Sequence, residues 1–555
     1  MAQIKKPKYI FVVGGVISGV GKGVASSSIG KILQDRGLNV TAIKIDPYIN
    51  VDAGTMNPTE HGEVFVLDDG DETDQDMGNY ERFLNITLTR TNYMTTGRVY
   101  KSVIEKERNL EYGGKCVEVV PHVPLEIIDR ITKATKDANA DVTLIEIGGT
   151  IGEYQNVLFL EAARMLKIRN PKDVLFVMVS YLPVPSKVGE MKTKPTQYAV
   201  RTLNGSGIQP DIIIARSTVP LDEKRKEKIA FMCNIGADRV ISAPDVDSIY
   251  DVPINFEKEK LSDLICDILE TTCKPKSSPN IALWNSFARA VHNSSDIVRI
   301  AVIGKYFDSG DFVLSDAYLS VIEALKYSSY HLKKKPELVW INSVEFEKDP
   351  KKVKELSKYD GVLVPGGFGS RGVEGILMAI RYVREKKIPY FGICYGMQLM
   401  VIEYARNVLR IKDATTREIN PNSPHLIINV MESQKDNLKH NRYGGSMRLG
   451  ACKAVLKDGT IARSAYGTNA ISERHRHRYE VNNDYVPDLE DAGMVFSGVS
   501  PDRTLAEIAE LSKKAHPFFL GTQFHPEFLA RPLYPHKLFT AFIKAAIAHR
   551  KKAGK

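Results

Sequence analysis

Tyr9-Ile-Phe-Val-Val13 runs without a break into Gly14-Gly-Val-Ile-Ser18-Gly19-Val20-Gly21-Lys22-Gly23. The five apolar residues, all β-branched or aromatic, read as a buried strand and the glycines as a tight turn. Beyond the turn, Ala25, Ser28, Ile29, Ile32 and Leu33 recur at helical spacing, and Gly37 is placed to end that helix. A strand, a Gly-rich turn and a helix in that order is the setting of a phosphate-binding loop. It predicts an α/β fold built on a mostly parallel sheet, P-loop-like and of Rossmann type.

The loop's chemistry is direct. Glycines let the backbone approach phosphate oxygens, the helix N-terminus favours an anion, and Lys22 adds a point charge. The spacing departs from the usual form, since five residues separate Gly15 from Gly21 and Gly23 stands where a Ser or Thr would hold Mg²⁺. Carboxylates must then hold the metal. The candidates are Glu146, closing an apolar run just before Gly148-Gly149, and Asp76, at the end of an acidic stretch whose earlier residues, 68–71, read as a solvated loop. Lys192-Thr193-Lys194-Pro195-Thr196-Gln197 offers two cations and an amide to a triphosphate, although such a loop taken alone also fits wet surface.

Working outward, strands are expected at residues 40–45, 142–147, 174–179 and 211–214, continuing the βα alternation. Residues 271–279 are polar with two prolines and open a linker. A second α/β unit starts at Ile300-Ala-Val-Ile303. It continues through a helix with Tyr318, Val321, Ile322 and Leu325 on one face, and through strands at 338–341, 361–364 and 389–393. The expected division is a first domain over 1–272, a linker over 273–297, a second domain over 298–550 and a basic tail over 551–555, with fraying from His549 onward.

In that second unit Tyr390-Phe-Gly-Ile-Cys394-Tyr395-Gly396 reads as a strand turning into a helix around one cysteine, the form of a nucleophile elbow. The turn lifts the sulfur out of the sheet and aims backbone N–H groups at a developing oxyanion. His525-Pro-Glu527 supplies a base and a carboxylate to orient it. The chemistry is attack on a carbonyl carbon, with an amide the expected substrate. A free cysteine is more often a small buried hydrophobe, but the Gly-rich frame and the distant His-Pro-Glu outweigh that alternative.

Composition bounds the rest. At 555 residues the chain needs two or three domains, and 43% hydrophobic with 26% charged residues describes an ordinary globular protein. The net charge of +9 fits anionic substrates and equally fits a Lys-rich surface. Cysteines at 116, 233, 266, 273, 394 and 452 form no CxxC pair, so free thiols in a reducing compartment are expected, the five besides Cys394 serving packing. No apolar run is long enough for a membrane span and the first residues lack a signal-peptide core, which makes a cytoplasmic enzyme the default.

These motifs, with Lys44-Ile-Asp-Pro-Tyr-Ile-Asn-Val-Asp52, His61-Gly-Glu-Val-Phe-Val66, Glu146-Ile-Gly-Gly-Thr150, Pro365-Gly-Gly-Phe-Gly369, Gly392-Ile-Cys-Tyr-Gly-Met-Gln398, Arg474-His-Arg-His-Arg-Tyr479 and Gln523-Phe-His-Pro-Glu527, run in order along essentially the whole chain. Together they resemble the CTP synthases, glutamine-dependent amidoligases that convert UTP to CTP. The resemblance implies a synthase domain in which ATP with Mg²⁺ phosphorylates O4 of UTP and ammonia displaces that phosphate. It also implies a class I glutaminase domain whose ammonia reaches the synthase through a tunnel, with His61 near its inner mouth.

By position, the resemblance gives Ser18, Gly19, Val20, Gly21, Lys22, Gly23 and Val24 to ATP phosphates, Asp76 to ATP and Mg²⁺, Glu146 to Mg²⁺, and Val246 to the adenine. Ser18, Glu153, Tyr154, Gln155, the stretch from Lys192 to Gln197, and Lys228 would meet UTP or the product CTP. Gly367, Tyr395, Gly396, Met397, Gln398, Glu418 and Arg478 would hold glutamine. GTP as activator, CTP as feedback inhibitor, a homotetramer and filaments are further implications; nucleic acid and membrane are not partners. Two departures stand out: Glu153-Tyr154-Gln155 where many members carry Asp-Ile-Glu, which puts CTP inhibition in question, and Tyr395 where Leu is common. The competing accounts are an amidoligase for another acceptor, against which Lys192 to Gln197 argues, and an assembly protein whose catalysis has lapsed, against which the intact Cys394, His525, Glu527, Lys22 and Glu146 argue. His475 and His477 are expected in polar structural contacts more than on a metal.

Overall fold

The run at 9–13 becomes the centre of a seven-stranded sheet. Its strands are β1 (Lys8–Gly14), β2 (Val40–Asp46), β3 (Tyr93–Thr95), β4 (Val142–Ile147), β5 (Val174–Tyr181), β6 (Ile212–Ser217) and β7 (Val240–Pro244). They lie in the order β3-β2-β4-β1-β5-β6-β7, all parallel. Helices cover the faces, so the strands are buried throughout and read as continuous apolar runs instead of alternating ones. The helix Lys22–Asp35 leaves β1 through the Gly-rich turn, and Gly37 takes φ +80° just beyond its end.

A computed structural model of the chain describes residues 6–554, apart from 16, 187–188, 276–278, 306–314, 432–433, 435–436, 438 and 441–443. The chain divides into two compact units, one of residues up to Asp52 with Asp76–Ala288, the other of Ala53–Gln75 with Arg289–Lys555. The boundary expected at 272 therefore leaves out one feature, because residues 53–75 belong with the second unit. Buried Arg474 explains it: its guanidinium donates to Asp68 at 2.5 Å and to the Val66 carbonyl at 3.1 Å. Arg476 pairs with Glu72 at 2.8 Å, and Glu63 accepts from the Ser320 amide at 3.1 Å. The acidic stretch at 68–71, expected to be merely solvated, is in part an anchor.

The second unit holds a nine-stranded sheet of β8 (Ile297–Gly304), β9 (Lys335–Asn342), β10 (Gly361–Val364), β11 (Tyr390–Ile393), β12 (Arg448–Leu456), β13 (Ala470–His477), β14 (Met494–Val499), β15 (Ala506–Leu511) and β16 (Phe519–Thr522). The order is β9-β8-β10-β11-β16-β15-β14-β12-β13. It is parallel from β9 to β16 and antiparallel beyond.

Three expectations need correction. Within the linker range 273–297, a helix spans Pro279–Asn293, fixed by Trp284, whose ring N–H donates to the Tyr250 carbonyl at 2.9 Å; residues 276–278 lie outside the described residues. The basic tail is helical to Lys552, as the closing turn of Lys537–Lys552, where cations suit the negative helix end; residue 555 lies outside the described residues. Among the cysteines, Cys266 and Cys273 form a disulfide, Cys116 is exposed and Cys452 half-buried, so of the five only Cys233 is a free, buried packing thiol. Seven residues apart, Cys266 lies in the helix Leu261–Ile268 and Cys273 on the segment that follows it. Cys273→Ser is expected to destabilise the first unit by about 2–3 kcal/mol, read as a lower thermal transition without reductant, with wild type falling to the same value when reductant is added. An unchanged transition would contradict the pairing. Among the described residues no helix is long and apolar enough to cross a membrane.

Candidate active sites

Register brings Lys44 and Glu146 side by side on β2 and β4. Lys44 Nζ donates to Glu146 Oε1 at 2.8 Å and to Asp76 Oδ2 at 2.5 Å, with Asp46 Oδ1 at 3.8 Å. The other Glu146 oxygen accepts from the Tyr80 hydroxyl at 2.5 Å and from Ser26 at 3.3 Å; Asp76 Oδ1 accepts from Asn79 at 3.2 Å. A Cβ on Gly23 would lie 2.1 Å from Asp76 Oδ1. The carboxylate thus fills the space that a Ser or Thr at this position would take, which accounts for the glycine. Two hard oxygen donors converging beside a phosphate loop fit Mg²⁺, which takes its remaining ligands from phosphates and water. Among the described residues no group of three or more His, Cys, Asp or Glu forms a closed metal cage.

Electrostatics follow from burial and these pairs. Burial alone would raise Asp76, but the Lys44 ammonium outweighs it and holds the carboxyl below the usual range. Burial pushes Asp46 up to about 6, with Lys44 opposing. Lys22, whose Nζ donates to the Gly149 carbonyl at 2.7 Å, is lowered by burial.

Beside the loop lies a cavity of about 310 Å³ lined by Gly21, Val24, Arg216, Val246 and Phe256 among others, which puts Val246 next to the phosphate loop. The sequence did not single out Arg216. It follows the apolar core of β6, donates to the Val20 carbonyl at 3.2 Å and pairs with Asp245, bracing the turn.

The stretch from Lys192 to Gln197 is only half loop, because the helix Lys194–Gly205 begins inside it with Pro195 in its first turn. Thr193 and Thr196 are buried, the latter sharing a 2.8 Å hydrogen bond with Ser180; Lys192 pairs with Glu190 at 2.7 Å. The hydrogen bond from Lys192, helped less by the Arg225 and Lys228 charges, holds Glu190 low. In the departing triplet, Glu153 accepts from Thr150 Oγ1 and from Gln155, both at 2.6 Å, and Tyr154 is 94% exposed.

In the second unit Cys394 follows directly on β11 and caps the helix Tyr395–Asn407, with φ 49° and ψ −99°. That backbone is unfavourable for a side chain by about 1–3 kcal/mol, and a nucleophile elbow holds such strain. The turn closes tightly: a Cβ on Gly396 would sit 2.2 Å from the Val364 carbonyl. His525 Nδ1 lies 2.7 Å from Glu527 Oε1, and His525, Glu527 and Cys394 line one cavity, where the sulfur hydrogen-bonds the Arg476 carbonyl at 3.8 Å. Burial would lower His525, but Glu527 and Cys394 outweigh it and raise the ring to about 10.

A cavity of about 760 Å³ opens over Cys394, and Gly367, Tyr395, Gln398, Glu418 and Arg478 all line it. Gly396 and Met397 do not. Gly396 abuts the Val364 backbone, and Met397 is fully buried against Gly521.

Over 541 residues the chain is 48% identical to the CTP synthase of Halalkalibacterium halodurans, covering 97% of this chain and 99% of that one. It belongs to the CTP synthase family. Residues 8–271 match the model of the CTP synthase N-terminus and residues 313–545 that of class-I glutamine amidotransferases. The CTP synthase of Sulfolobus acidocaldarius is 49% identical over 541 residues, 98% of this chain and all of that one. A solved Trypanosoma brucei CTPS glutaminase domain with bound acivicin is 37% identical, with a TM-score of 0.42 over 45% of this chain and 94% of that domain.

For a CTP synthase, sequence reasoning missed several residues around the sulfur. Gln523 donates to Cys394 Sγ at 3.6 Å and its Oε1 accepts from Gln398 at 3.2 Å. Gly54, Thr55, Met56 and Asn57 line the large cavity from the segment 53–75. Lys305 Nζ donates to the carbonyls of Phe368 and Gly369, and to the Tyr395 hydroxyl at 3.2 Å. Burial lowers Lys305 to about 8, with Glu418 opposing. Tyr395 in turn donates to the Gly369 carbonyl at 2.7 Å, while Glu418 accepts from the Gly369 amide at 2.7 Å. A Lys two residues beyond the apolar core of β8 carries no motif; only its place in the fold reveals it. The pair His475 and His477, 3.0 Å apart, is a buried structural contact, with His477 lowered to about 3 by burial and then by Arg448.

Proposed function

We propose that this chain makes CTP from UTP, using ATP and the amide nitrogen of glutamine. One observation carries the proposal: in one unit Cys394, His525 and Glu527 line a single cavity, and in the other a Gly-rich loop is flanked by Lys44, Asp76 and Glu146.

At the first site Cys394 Sγ attacks the side-chain amide carbon of glutamine. His525, oriented by Glu527, takes the thiol proton as the sulfur attacks, and the imidazolium then gives that proton to the departing ammonia. The amides of Gly367 and Tyr395, the latter at a helix N-terminus, stabilise the oxyanion; one such donor is worth about 3–4 kcal/mol. Water releases glutamate from the thioester with His525 as base. Gln398, Glu418 and Arg478 hold the amino-acid end, a Glu suiting the ammonium and an Arg the carboxylate.

At the second site the γ-phosphoryl of ATP moves to O4 of UTP, and ammonia attacks C4 and expels phosphate. O4 is a poor leaving group until phosphorylated, hence the need for ATP. Lys22 and the loop amides position the phosphates, and Val246 with its neighbours takes the adenine. Mg²⁺, when bound by Asp76 and Glu146, neutralises phosphate charge. Lys192, Gln197 and Lys228 engage the pyrimidine nucleotide. Family membership supports GTP activation, CTP feedback, a homotetramer and a cytoplasmic location as parts of the same proposal.

The test is chromatographic. Purified protein with UTP, ATP, Mg²⁺ and either glutamine or ammonium is expected to yield CTP from both donors. ATP hydrolysis without CTP from either would contradict it.

A further inference from the structure

Lys44 lies between the two carboxylates assigned to the metal. Its Nζ is 2.5 Å from Asp76 Oδ2 and 2.8 Å from Glu146 Oε1, on a strand whose register fixes it beside Glu146. Tyr80, Ser26 and Asn79 bind the remaining carboxylate oxygens, so both acids are already aimed at one point. Two acids in so dry a place need a cation between them. The other lysine of the loop, Lys22, is engaged with the Gly149 carbonyl instead.

We infer that Lys44 is a displaceable internal counter-ion: it holds the metal position until a divalent cation arriving with nucleotide phosphates takes over Asp76 and Glu146. This rests on the assignment of those two residues to Mg²⁺. An ammonium and a divalent cation cannot both occupy the point between the same two oxygens, because their mutual repulsion is strongest there. The lysine carries its charge on a flexible stem and can exchange carboxylate for phosphate oxygens without backbone movement. The consequence is ordered entry. Free metal competes against a resident charge and binds weakly, whereas metal with nucleotide brings the anion that draws Lys44 away.

The experiment is Mn²⁺ binding to the full chain without nucleotide, read by electron paramagnetic resonance of free Mn²⁺. Lys44→Met is expected to bind Mn²⁺ about tenfold or more tighter than wild type, since the competing charge is gone. Lys44→Arg is expected to bind no tighter than wild type. Lys44→Gln serves the same comparison if Lys44→Met does not fold. Unchanged or weaker binding in the neutral variants, with Asp76→Asn still reducing it, would overturn the displacement alone. Binding indifferent to Asp76→Asn, in wild type and in Lys44→Met alike, would overturn the metal assignment and the displacement with it.

Discussion

Cys394→Ala is expected to abolish CTP formation from glutamine, by a factor on the order of 10⁴ or more, while ammonium still supports synthesis at the wild-type rate. The asymmetry follows from where the sulfur sits. Cys394 shares a cavity with His525 and Glu527 and also opens onto the glutamine cavity, and its loss leaves the oxyanion donors with nothing to act on. The phosphate site has its own supports: Lys22, Lys44, Asp76 and Glu146 make contacts among themselves and with Gly149, Tyr80, Ser26 and Asn79. Alanine also suits the helix N-terminal turn in size, so the fold should survive, although φ 49° remains unfavourable for it. Parallel initial rates with the two nitrogen donors measure the effect, and loss of both in a folded variant would contradict two separable sites.

Lys22→Ala is expected to remove CTP formation from either donor, by a factor on the order of 10³. Phosphoryl transfer depends on positioned positive charge, and Lys22 is the cation carried by the phosphate loop itself, at the first position of the helix after Gly21. Glutamine hydrolysis should persist as a basal activity, because Lys22 is no part of the triad. Comparing glutamate release with CTP formation in the same reaction separates the two. Substantial residual ammonium-dependent synthesis would remove Lys22 from the ATP role.

The half of the fold that is parallel was the legible half. Runs such as Val142–Ile147 and Gly361–Val364 are buried on both faces, so their apolar continuity marks them with their true limits. The antiparallel strands went unseen because one of them, Ala470–His477, carries Arg474, His475, Arg476 and His477. Arg474 and Arg476 are paired with Asp68 and Glu72, hundreds of residues away in sequence, and burial keeps the two histidines neutral. The same distance hid the transfer of residues 53–75 to the second unit. The triad was readable because His525 and Glu527 lie two residues apart and Cys394 sits in its own glycine frame. Lys305, Arg216 and Gln523 were not, since each acts from the end of an ordinary strand or the turn after it. Gly23 shows the intermediate case: the sequence revealed a missing hydroxyl, and only the approach of Asp76 explains why it is missing.

The central claim is that nitrogen freed at Cys394 is consumed on an activated pyrimidine by the same enzyme. Its most direct measurement is the isotopic content of CTP made from amide-¹⁵N glutamine, UTP, ATP and Mg²⁺ in the presence of unlabelled ammonium. The expected product carries ¹⁵N at N4, and none with Cys394→Ala, whose CTP should carry only nitrogen from the medium. Glutamine hydrolysed at full rate while the CTP remains unlabelled would contradict it.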